Sequence, residues 1–281
     1  MNSGPIGVSG LLLAAASRLL SSDKSRWGLA MSGELQQIAG RNRRWRFALG
    51  CVRAILLTPP APGEPGRVLV AGVVTAALAC VSVVAGGLVR YPGLWAEAGV
   101  GLALAAFLCT LGVYVLAAVI AVAPMIQPRA GHVRLGLLGG VVVAALWTLV
   151  GAATSLSPIA GLLPVVLIPL TSLLVGASGA RRGWTASAGR QVAVVAAVVA
   201  GLLLFLGWVG MAVSTGGRPY DPGLLRDFQA SGAGDLATYA VDDNLGAGMM
   251  LLLLVPLLTV SLGSVGAAIA VRIHAPSRRA A

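Results

Sequence analysis

The sequence predicts an all-α integral membrane protein: a six-transmembrane-helix bundle, N-in/C-in, preceded by a cytoplasmic amphipathic helical hairpin. Three observations predict it. Of the 281 residues, 57% are hydrophobic and only 10% charged, and the mean hydropathy is +0.90, whereas an ordinary soluble domain is roughly 25% charged. Apolar runs near the ~20 residues that a helix needs to cross a hydrocarbon core occur six times. With the N-terminus placed inside, 17 of the 20 Lys and Arg fall on the inner segments, which is the positive-inside distribution. The formal net charge of +11 is therefore first a topology signal, reinforced by attraction to an anionic inner leaflet. It does not imply a nucleic-acid partner, and none is expected.

Residues 1–66 are too few, and too poor in large apolar side chains, to promise an independent domain. The first 17 residues hold no Lys or Arg, so the run "GLLLAAAS" does not read as a secretory signal and is expected to stay in the mature chain. Two helices are expected in this prefix. Asp23 can cap one that runs to Ala39, with Trp27, Met31, Leu35 and Ile38 along one face and Gly40 ending it. Asn42 can cap a second that runs to Leu57, with Trp45, Leu49, Val52 and Leu56 on one stripe, until "TPPAPGEPG" stops it. The second begins with "RNRRWRFALGC", where Arg41, Arg43, Arg44 and Arg46 surround Trp45. This reads as an interfacial helix, arginines towards lipid phosphates and Trp45 towards the acyl boundary or a neighbouring helix.

In Trp27, Ala30, Met31, Glu34 and Leu35, followed by Trp45, Arg46, Phe47, Ala48, Gly50 and Cys51, the chain resembles the N-terminal prefix of a group of uncharacterised multi-pass membrane proteins from high-GC bacteria. The resemblance covers some 30 residues. It implies a bacterial inner (plasma) membrane location and a cytoplasmic helical adaptor that contacts a membrane or cytoplasmic protein partner.

The membrane domain, residues 67–273, divides into spans of about 68–89, 98–123, 133–154, 159–177, 192–213 and 245–273, with an outer loop 214–244 and a cytoplasmic tail 274–281. The third span carries Gly136, Gly140, Ala144, Thr148 and Ala152 at intervals of four, a small-residue stripe on which another helix can pack closely. Weaker stripes are Gly72, Ala76, Cys80 and Gly101, Ala105, Cys109. Whether such faces join helices of one chain or of two protomers does not follow from sequence, so the oligomeric state stays open. Pro158, Pro164 and Pro169 crowd the fourth span and should kink or break it.

No Asp, Glu, Lys, Arg or His lies in the middle of a span, so coupling to ions or protons loses its usual carriers. The hydroxyls of Thr75, Ser82, Thr110, Tyr114, Thr148, Thr171, Ser172, Ser261 and Ser264 are expected to bond their own helix or a neighbour. Cys51, Cys80 and Cys109 lack metal-ligand spacing and read as small buried hydrophobes. "GASG", Gly176 to Gly179, resembles the Gly-x-Ser-Gly of rhomboid intramembrane proteases, with His274 at the end of the sixth span. Ser178 adjoins Arg181 and Arg182, however, and His274 follows Arg272, which puts both at the cytoplasmic surface rather than within the membrane. His132 reads as a solvated loop residue. No catalytic residue, cofactor or metal ligand is expected, and the chain is not read as an enzyme.

The outer loop holds five aspartates against Arg218 and Arg226. Asp221 with Pro222 can start one short helix and Asp235 a second, forming a solvated lid; Asp242, Asp243 and Asn244 lack the oxygen spacing of a Ca²⁺ loop. Two functions from different classes fit: a membrane-embedded regulatory or accessory subunit acting through the prefix, or a transporter or permease for an apolar or neutral solute.

Overall fold

A computed structural model describes residues 8–17, 25–57, 65–96, 99–121, 130–156, 158–216, 222–232 and 234–274. Asp23, Asp221, the proline-rich stretch 58–64 and the tail 275–281, all used above, lie outside these residues. Every regular element described is helical. The order is α1 (Val8–Ser17), α2 (Ser25–Gln37), α3 (Arg41–Leu57), α4 (Pro65–Arg90), a 3₁₀ turn (Pro92–Ala96), α5 (Val100–Ala121), α6 (Ala130–Leu156), α7 (Pro158–Gly183), α8 (Ala186–Thr215), α9 (Pro222–Ser231) and α10 (Leu236–His274). Six of them, α4 to α8 and α10, are long and apolar enough to cross a membrane.

The bundle is built around α8. Helices α10, α7, α6, α4 and α5 each touch it and each touches the next, closing a ring whose contacts are extensive along α10–α7–α6 and slender along α4–α5. Of the apolar stretch of α8, 67% is buried, against 22–33% in the other five spans. Its sequence accounts for this: Ala188, Gly189, Ala193, Ala196, Ala197, Ala200 and Gly201 spread small residues over more than half of its circumference, so several neighbours approach closely. Thr185 starts α8, its hydroxyl accepting from the Ala188 N–H at 3.2 Å. Gly216, at φ 71°, ends it in the left-handed conformation. Arg90 closes the same end, donating to the Val213 and Ser214 carbonyls at 3.3 Å. A cation there satisfies helix-end carbonyls and complements the dipole, which gives one of the three basic residues outside the positive-inside pattern a structural task.

Three boundaries differ from expectation for one reason: polarity ends an apolar run without ending a helix. The fourth span continues through Arg181 and Arg182 to Gly183, and the fifth begins at Ala186. The last helix begins at Leu236 rather than Leu245 and runs 39 residues, roughly 58 Å at 1.5 Å per residue and well beyond a hydrocarbon core. Residues 214–244 are thus mostly helical: α9 starts at Pro222 as expected and packs on α10 through Phe228 and Tyr239, ring centroids 5.7 Å apart.

Among the described residues the prefix holds three helices, where two were expected. The run "GLLLAAAS" forms most of α1, which packs on α3, on α2 and on the membrane helix α5.

Candidate functional site

In the prefix, Leu13 and Ala16 of α1, Met31 and Leu35 of α2, and Ala48, Cys51 and Ile55 of α3 are buried in one cluster with Leu69 and Val70 of α4, Ala121 of α5 and Val133 of α6. Met31 and Leu35 therefore face inward, as their spacing implied, whereas Trp27 is 49% exposed. On α3 the buried stripe is Ala48, Cys51 and Ile55. Trp45 and Val52 are half-buried and Leu49 is exposed, so the stripe runs one residue away from the one expected. Burial, and after it the Glu34 carboxylate, pushes the Cys51 thiol up from its ordinary pKa, which leaves it protonated and unreactive at neutral pH.

The four arginines do not share one environment. Arg41, Arg43 and Arg46 are exposed, but Arg44 reaches back across the corner and donates to the carbonyls of Ile38 at 2.9 Å and Gln36 at 3.3 Å. It thereby caps the C-terminal end of α2. Gly40, at φ 90°, makes the corner as foreseen, while α3 starts at Arg41 and takes Asn42 into its first turn instead of using it as a cap.

The packing stripe of α6 meets α8. A Cβ on Gly136 would stand 2.6 Å from Val195, and one on Gly140 2.7 Å from the Ala196 carbonyl oxygen. Ala144 is buried beside Ala200 and Leu204. Thr148, where the stripe leaves the interface, is exposed and bonds its own Ala144 carbonyl. Closer contacts join α7 to α10 through residues that no stripe singled out: a Cβ on Gly176 would collide with the Gly263 carbonyl, and one on Gly266 with the Leu173 carbonyl. The weaker stripes are used unequally. Cys80 is buried, but Gly101, Ala105 and Cys109 are exposed on α5, so Cys109 is not the buried hydrophobe expected.

The prolines of α7 start the helix or lie within it, and none of them breaks it. Pro158 is the first residue of α7, a position that needs no N–H; it starts the helix instead of kinking it. Pro164 and Pro169 lie inside α7, which stays a continuous helix through both. A proline not singled out from sequence, Pro256, lies within α10. Because it has no N–H, the Leu252 carbonyl four residues earlier loses its helical donor. Tyr114 of α5 takes that place, its hydroxyl donating to the Leu252 carbonyl. Gly201 of α8 makes the room: a Cβ there would strike the Tyr114 hydroxyl and stand 3.0 Å from Pro256. Three helices thus meet at one buried polar point.

Three other span hydroxyls bond their own helix: Ser82 to Leu78, Thr110 to Ala106 and Ser172 to Ile168, at 2.8–3.0 Å. Ser178 lies within α7 and is half-buried; nothing of the His274 side chain is described. His132 is a correction, being 6% exposed in the first turn of α6 and close to Gly183 rather than solvated in a loop. The helix begins before the apolar run does, and the end of α7 covers it. Asp235 caps α10, accepting from the Thr238 N–H at 2.8 Å and its hydroxyl at 2.6 Å, and these bonds hold its carboxyl below the ordinary range. Asp242 and Asp243 are exposed while Asn244 turns inward to the Ala240 carbonyl at 2.6 Å, so the three do not converge. Compared with protein-family models, with curated proteins and with solved structures, the chain matches none of them.

Proposed function

We propose that this chain is a multi-pass protein of a bacterial plasma membrane, both termini cytoplasmic, serving as a non-catalytic regulatory or accessory subunit whose prefix receives a protein partner. The observation that carries the reading is the single buried cluster running from α1, α2 and α3 into α4, α5 and α6. A partner seated on the prefix then bears on the membrane helices through close-packed side chains. The surface available to it includes Trp27 and Leu29, 49% and 75% exposed on α2, while Arg41, Arg43 and Arg46 keep the prefix at an anionic leaflet. Spans without a central ionisable residue fit a subunit that conducts no charge.

The test is co-purification from native membranes with the full chain, with residues 1–57 deleted, and with Trp27→Glu. One or more proteins should be lost from both variants while the six-span domain still inserts. An unchanged set of co-purifying proteins in both would sink the reading. A permease for an apolar or neutral solute is the second reading, favoured by prolines within two adjacent helices, α7 and α10; substrate-dependent flux in proteoliposomes would decide for it.

A further inference from the structure

We propose that the corner between α7 and α8 binds the headgroup of an anionic phospholipid, with Arg181, Arg182 and Arg190 on the phosphate and Trp184 at the acyl boundary. The inference requires only that the six apolar helices sit in a bilayer; it is independent of any partner on the prefix.

Charge is the first argument. Arg181 and Arg182 occupy the last turn of α7, Arg190 lies near the start of α8, and only Trp184 and Thr185 separate the helices. All three arginines are exposed. The chain has no Asp or Glu between Glu97 and Asp221, and none after Asp243, so α6, α7 and α8 carry no acidic side chain of their own. α10, also packed against the corner, carries only Asp242 and Asp243, near its opposite end. Arg134 near the start of α6 and Arg272 near the end of α10, both exposed, add positive charge at the same end of the bundle.

Rigidity is the second. A Cβ on Gly183 would strike Ala188, one on Gly179 would stand 2.7 Å from Val192, and one on Gly189 2.5 Å from the Gly176 carbonyl oxygen. The two helix ends are therefore held backbone to backbone, and the bases of the three arginines keep a fixed relation.

The third argument is strain. Trp184 has φ 57° and is 62% exposed, a left-handed conformation that a bulky residue rarely adopts. Glycine is the usual residue for this place after a helix, but Gly183 is committed one position earlier to the close approach on Ala188. A topology signal needs arginines and no strained aromatic. An amphipathic ring held outward between arginines matches a ligand that is phosphate at one end and apolar at the other, and a phospholipid offers both.

The full-length chain is reconstituted in bilayers of equal phosphatidylglycerol and phosphatidylcholine, re-extracted, and its retained lipid measured by mass spectrometry. The wild type should retain phosphatidylglycerol in excess. The triple variant Arg181→Gln, Arg182→Gln, Arg190→Gln should lose at least about tenfold of that enrichment, each arginine near an anionic surface accounting for roughly fivefold. An equal neutralisation of Arg41, Arg43 and Arg46, which attract anionic lipid only diffusely, should lower it by less than the corner variant does. Trp184→Gly should lower retention without lowering the melting temperature, and it carries the test alone if the triple variant does not fold. Equal enrichment in wild type and corner variants overturns the proposal. So does an equal loss in the prefix variant, which would mean diffuse attraction, and so does full displacement by millimolar inorganic phosphate, which would mean a free-anion site.

Discussion

Asp235 illustrates how a single residue settles where a helix begins. Its carboxylate takes the Thr238 N–H and hydroxyl, and those bonds lower its pKa in the folded chain. A lowered folded-state pKa means stabilisation that is complete above the unfolded value of ~3.9 and is lost as pH falls through the folded one. Protection of the Leu236 to Tyr239 amides, measured against their intrinsic exchange rates, should therefore fall below about pH 4, whereas Asp235→Asn should keep the cap and remove the pH dependence of that protection. If that protection is flat with pH in the wild type, the cap contributes nothing to the start of α10. Asp235 was legible as a cap from sequence because capping is local, an oxygen reaching three residues on. Arg44 was not. Its bonds to Ile38 and Gln36 cross a corner, and a run of four arginines carries no mark of which one turns back.

Among the elements, α10 and its neighbours hold the least legible part of the structure. The Leu252 carbonyl released by Pro256 is satisfied from α5 by Tyr114. Tyr114→Phe should destabilise the detergent-solubilised protein by about 1 kcal/mol, within the range for interhelical bonds in membranes. In a Pro256→Ala background the regained N–H bonds Leu252, so the cost of Tyr114→Phe should fall close to zero. Additive effects of the two substitutions would contradict the pairing. The glycines at the α7–α10 contact make a second prediction. Gly176→Ala forces a methyl into the Gly263 carbonyl and should cost about 3 kcal/mol, the upper end for overpacking. Gly72→Ala, with nothing within 4 Å, should not lower the melting temperature. Both glycines sit in apolar helices, and only Gly72 belonged to a stripe; periodicity reports which residues share a face, while what that face meets depends on the neighbour.

For the whole molecule, orientation is the prediction that sequence makes most directly. A reporter active only outside the membrane should be active when fused near Pro222 and silent when fused after Ile273; the reverse pattern would invert the proposed N-in/C-in topology. The distribution of 17 of 20 basic residues carries that expectation, and the alternating helices place the arginine-bearing ends of α6, α7, α8 and α10 together. By itself the sequence determined the helical class and the six apolar spans, because hydrocarbon demands about 20 apolar residues with every backbone group bonded within the segment. It determined one packing stripe and several helix starts for the same reason, since both follow from spacing within a single helix. Only the tertiary structure decided that α8 is the hub, that α1 joins the prefix to the membrane helices, and that Tyr114 completes α10 at Pro256. Each of these depends on which helix lies beside which, and in an apolar medium interchangeable aliphatic surfaces do not encode the neighbour. Small residues and a few hydrogen bonds select it, and their partners stand far away in the chain.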